Sequence, residues 1–62
     1  MNFVYKTINV ELSRVDELYL AEVTDGELYE IPLRLNNSNL EDLINTINLN
    51  FPLNIRLNEV DL

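Results

Sequence analysis

Apolar residues recur at alternate positions through residues 3 to 12. Val4, Ile8, Val10 and Leu12 share one parity, and Thr7, Asn9 and Glu11 share the other. Period two with β-branched side chains predicts a strand. "SRVDE" then reads as a loop, and "LYLAEV" predicts a second strand with apolar residues on both parities. In "TDGE", the Asp25-Gly26 pair is the strongest short hairpin signal, because both central residues of a type I′ turn take positive φ. Gly26 is the only glycine in the chain, which marks this spot for the turn.

A two-residue turn at Asp25-Gly26 sets a register. Thr24 then faces Glu27, Leu20 faces Ile31 and Leu18 faces Leu33, so that large apolar residues share one face. On the opposite face Val23 meets Leu28, Ala21 meets Glu30 and Tyr19 meets Pro32. Counted from the turn, the Tyr19–Pro32 pair falls at a non-hydrogen-bonded position. Pro32 therefore lacks its N–H on the side away from the second strand. That is tolerated only where no further strand pairs, so the third strand is expected at a sheet edge.

The pattern changes to helical spacing at Leu40, Leu43, Ile44 and Ile47. Ser38 with Glu41 matches a capping box, and Glu41 and Asp42 suit the positive end of the helix dipole. Alternation returns in "PLNIRLNEV", with Leu53, Ile55 and Leu57 inward, and predicts a fourth strand. The order β-β-β-α-β, with a right-handed crossover over the helix, makes strands 3 and 4 parallel. Strand 3 has an edge on one side and strand 2 on the other, so strand 4 joins beyond strand 1. The expected fold class is α+β: a two-layer sandwich over residues 1–62, one helix on one face of a four-stranded mixed sheet of order 3-2-1-4.

One helix covers one face. Pairing Leu12 with Leu18 and Val10 with Leu20 leaves the other face with Phe3, Tyr5, Tyr19, Ala21, Val23, Leu28 and Pro32, rimmed by Glu11, Glu17, Glu30 and Arg34. Aromatic and apolar residues inside a charged rim form the expected binding patch.

Charge changes the picture further. Eleven acids against four bases give a net charge of −7. Such a chain lacks the basic stripe that neutralises phosphates, so direct nucleic-acid binding is excluded. Anionic membranes repel it likewise. Its natural counterpart is a protein with a basic surface. The absence of cysteine and histidine removes disulfides and common zinc sites, so no stabilising metal or cofactor is expected. A small domain without such staples favours a partner subunit. The start "MNFVYKTINVEL" has no signal-peptide pattern and no apolar run reaches 18 residues, which leads to the expectation of a cytoplasmic protein.

No nucleophile stands with a base, no phosphate-binding glycine loop occurs, and "DGE" falls far short of a calcium loop, so the chain is not expected to be an enzyme. The acids remain for recognition. Asp16, Glu17, Glu22, Asp25, Glu27 and Glu30 fall in or near the hairpin and the loop before it, and Glu30 and Glu11 join its two ends along the open face, where a row of carboxylates imitates DNA phosphates. The expected function is that of a small acidic inhibitor, DNA-mimic-like and of the kind phages encode, docking on a nuclease, CRISPR effector or similar protein. Its expected contacts are Tyr5, Glu11, Asp16, Glu17, Tyr19, Val23, Asp25, Glu27, Leu28 and Glu30. The rivals are a non-catalytic structural or assembly subunit that forms a homo-oligomer, such as a homodimer, through the open face, and an antitoxin or immunity-type protein.

Overall fold

The computed structural model describes residues 1–26 and 31–62. It is α+β, with a four-stranded open sheet and one helix. The strands are β1 (Asn2–Tyr5), β2 (Ile8–Val15), β3 (Leu18–Asp25) and β4 (Leu33–Asn37), and the helix is α1 (Leu40–Asn50). The sheet order is β1-β2-β3-β4, and every neighbouring pair is antiparallel. The expected order 3-2-1-4 and the mixed sheet are thus corrected. All four strands come from the first 37 residues.

The reason lies in a turn that carries no conventional turn residues. What reads as a single strand over 3 to 12 is folded back on itself at Lys6-Thr7, so that Tyr5 pairs with Ile8 and Phe3 with Val10. Lys6 takes φ 54 there, a conformation that side-chain-bearing residues seldom adopt. The next turn is Asp16-Glu17, with Asp16 at φ 56, which an aspartate tolerates better.

These turns reset the register. Leu12 pairs with Ala21 instead of Leu18, and Val10 with Val23 instead of Leu20. A slip by an odd number of residues exchanges the two faces of a strand. Ala21 and Val23 therefore lie in the core with Val10 and Leu12, and Leu18 and Leu20 lie on the other face. Gly26 does not take positive φ. Its N–H donates to the Thr7 carbonyl at 3.3 Å, which extends the contact between β2 and β3 one position past the Ile8–Asp25 pair. On β4, Asn37 faces Tyr19 and Leu35 faces Ala21. β4 does form a sheet edge, as expected for the third strand, but Pro32 lies one residue before it and does not pair with Tyr19.

α1 follows the expected spacing. Leu43, Ile44 and Ile47 are buried against Val10, Leu12, Ala21 and Val23. Its N-cap is Asn39, not Ser38: the Asn39 side chain accepts from the Asp42 N–H at 3.1 Å. Asn37 in turn accepts from the Asn39 N–H at 2.9 Å. Asn39→Ala is therefore expected to cost about 1 kcal/mol and Ser38→Ala close to nothing. Urea midpoints of the two variants check this, and equal losses would restore Ser38 as the cap. The helix stops at Phe51, just before Pro52, whose ring disfavours helical backbone at the preceding residue.

The predicted fourth strand is absent. Residues 52–62 run across the core without joining the sheet, broken by Asn54 at φ 51 and a short 3-10 turn, Leu57–Glu59. Leu53 and Ile55 do point inward, whereas Leu57 is exposed. Asn48 fastens this segment: its side-chain amide donates to the Ile55 carbonyl and accepts from the Ile55 N–H, both at 2.8 Å. One side chain thus satisfies the backbone groups that a neighbouring strand would have satisfied. Among the described residues no helix is long and apolar enough to cross a membrane.

Candidate protein interface

Alternation along the strands presents a second face, away from α1. Across its middle the register aligns four residues: Asn2 opposite Glu11, Glu11 opposite Glu22, and Glu22 opposite Arg34. The Met1 ammonium reaches Glu11 Oε1 at 3.4 Å, and Arg34 Nε reaches Glu22 Oε2 at 3.3 Å. The row therefore reads cation, carboxylate, carboxylate, cation. Two carboxylates directly opposite each other on adjacent strands repel, at a cost of a few tenths of a kcal/mol to about 1 kcal/mol. The flanking ion pairs are exposed, and exposed pairs return little of that cost.

The adjacent row is Ser13, Leu20 and Asn36. Between the two rows lies a concavity of about 290 Å³, lined by Glu11, Ser13, Leu20, Glu22, Arg34 and Asn36 among others. Val4, Val15 and Leu18 add exposed apolar surface toward the margins of the same face.

The residues expected to bind a partner are dispersed by the corrected register. Glu11 stands at the centre of the open face. Asp16 and Glu17 are exposed in the β2–β3 turn, where Arg14 Nε donates to the Asp16 carbonyl at 2.8 Å. Tyr5 and Tyr19 belong to the helix side: Tyr5 is half-exposed beside Lys6, and Tyr19 packs against the core beneath Arg14. Val23 is fully buried, with 0% of its surface exposed, and so is no contact residue. Asp25 is also buried, and Thr7 Oγ1 donates to its carboxylate at 2.8 Å. It anchors the β1–β2 turn to the end of β3 rather than forming part of an acidic rim. Glu27, Leu28 and Glu30 lie outside the described residues.

The place of Leu20 on the open face and the pairing of Glu22 with Glu11 were missed, Glu22 having been read only as one of the hairpin acids. The signal was present in Asp16: a tight turn at Asp16-Glu17 makes Val15 face Leu18 and thereby places Glu11 opposite Glu22. Among the described residues no group of three or more His, Cys, Asp or Glu side chains is arranged to hold a metal. No buried side-chain polar atom among them lacks a partner. What this face offers chemically is paired carboxylates beside an apolar floor. In comparisons with known proteins, no family model, no curated protein and no solved structure matches the chain.

Proposed function

We propose that the protein is a non-catalytic acidic binding module. It docks through its open sheet face on the basic surface of a nucleic-acid-handling protein and inhibits it by occupying ground where phosphates would lie. The observation that carries the reading is the Glu11–Glu22 pair, two carboxylates held opposite each other on a face that no described element covers. A cationic partner surface relieves their repulsion. The net charge of −7 adds long-range steering toward such a surface.

Self-association through this face is electrostatically poorer. A two-fold axis in the plane of the face and centred on the row, whether along or across the strands, stacks carboxylate on carboxylate. A homodimer would bury that repulsion, whereas a basic partner cancels it. Size-exclusion chromatography with light scattering is expected to report a monomer.

The test is affinity capture from lysate of the producing cells, at low salt and again at roughly 0.5 M salt, where the Debye length falls to a few ångströms. Basic nucleic-acid-binding proteins are expected in the low-salt fraction. Glu11→Gln combined with Glu22→Gln should weaken the capture about tenfold without unfolding the domain, since both side chains are solvent-exposed. Capture that resists salt and ignores this double substitution would defeat the reading.

A further inference from the structure

Resting on that docking reading, we propose that the concavity of the open face receives a single arginine side chain of the partner. Its guanidinium would bridge Glu11 and Glu22, and its aliphatic stem would lie on Leu20.

The register supplies the geometry. Glu11 and Glu22 are direct cross-strand partners, so their Cα atoms stand about 5 Å apart. Leu20 lies two residues before Glu22 on β3 and on the same face, about 7 Å away along the strand. A side chain laid along β3 therefore meets an apolar floor first and two carboxylates next. That sequence of surfaces matches an arginine, whose methylene stem is apolar and whose head is a cation. Ser13 and Asn36 flank Leu20 in the same row and offer hydroxyl and amide groups to the partner's backbone.

Arginine fits better than its rivals. A planar guanidinium carries five N–H donors and can bond two carboxylates at once, whereas a lysine ammonium is a compact and strongly hydrated point charge. Two carboxylates are too few for calcium, which takes six to eight oxygen ligands. The chain itself shows an arginine using this site from one side. Arg34 Nε meets Glu22 Oε2 at 3.3 Å, and the Arg34 side chain is 74% exposed. Both ion pairs on these carboxylates, Arg34 on Glu22 and the Met1 ammonium on Glu11, are long and exposed, so an incoming guanidinium competes with weak partners.

The test is an NMR titration of the isotopically labelled protein with a blocked Gly-Arg-Gly peptide, and with the same peptide carrying lysine or citrulline. Arginine peptide is expected to shift the amides of Glu11, Ser13, Leu20 and Glu22 in one saturable set. Lysine peptide should bind about fivefold more weakly, and citrulline peptide should not bind. Glu11→Gln with Glu22→Gln should weaken the arginine peptide about tenfold, and Leu20→Ala about threefold. Arg34→Gln, which removes the competing cation, should leave binding equal or tighter. Shifts spread evenly over Asp16, Glu17, Glu41 and Asp42, or equal binding of arginine and lysine peptides, would overturn the proposal. The titration needs no partner, so its failure beside salt-sensitive partner capture removes the arginine anchor alone and leaves the docking reading in place.

Discussion

Leu12→Ala is expected to remove about 3 kcal/mol of stability, enough to leave this domain marginal or unfolded at 25 °C. Leu12 sits mid-way along β2 with none of its surface exposed, and it belongs to the cluster that joins sheet to helix. Deleting its three outer carbons removes transfer free energy and leaves a cavity that strands held on both sides cannot close. A 62-residue domain has roughly 3 to 9 kcal/mol in total, at 0.05 to 0.15 kcal/mol per residue. Leu12→Met, which keeps the volume, should cost less than about 1.5 kcal/mol. Urea unfolding followed by circular dichroism reads both. An alanine variant within 1 kcal/mol of wild type would mean that β2 is not the centre of the core.

The second large effect is expected at Asn48. Asn48→Ala strips the Ile55 backbone of both partners, in a part-buried setting where each unsatisfied group costs about 1 to 3 kcal/mol. Ile55 is itself part of the core, at 4% exposure, so the loss spreads from a hydrogen-bond pair to packing. Asn48→Asp is expected to be no better. It removes the donor to the Ile55 carbonyl and sets a carboxylate against that oxygen. Hydrogen exchange at the Ile55 amide provides the measurement. Its protection should fall in both variants before global unfolding, and unchanged protection would show that the C-terminal segment is held by its apolar contacts alone.

Both effects arise from parts of the fold that differ in how openly the chain declares them. The helix was legible because its signal is local. Leu40, Leu43, Ile44 and Ile47 define a stripe, and Glu41 and Asp42 mark its first turn, although the cap is Asn39 and not Ser38. The inward direction of Leu53 and Ile55 was legible for the same reason, although the strand inferred from them was not formed. Nothing in "LNE" announces a 3-10 turn, and nothing in Asn48 announces that its side chain replaces a strand.

The candidate interface was legible only in part. The excess of acid over base and the existence of an uncovered sheet face followed from composition and from the presence of a single helix. Which residues occupy that face did not. β3 carries apolar side chains on both parities, Leu18 and Leu20 on one and Tyr19, Ala21 and Val23 on the other, so either face could be buried on pattern alone. Asp25-Gly26 favoured one phase, and the chain took the other.

What the sequence determined by itself was therefore short-ranged: an amphipathic helix over 40–50, β-structure in the first 37 residues, and a net charge of −7. Tertiary structure decided the phase. A strand has period two, so every odd slip in pairing exchanges core and surface. The pairing is settled by two turns, Lys6-Thr7 and Asp16-Glu17, and by the fit of Ala21 and Val23 beneath α1. That choice buried Val23 and Asp25 and brought Glu11 face to face with Glu22, a juxtaposition of residues distant in sequence that only long-range pairing creates.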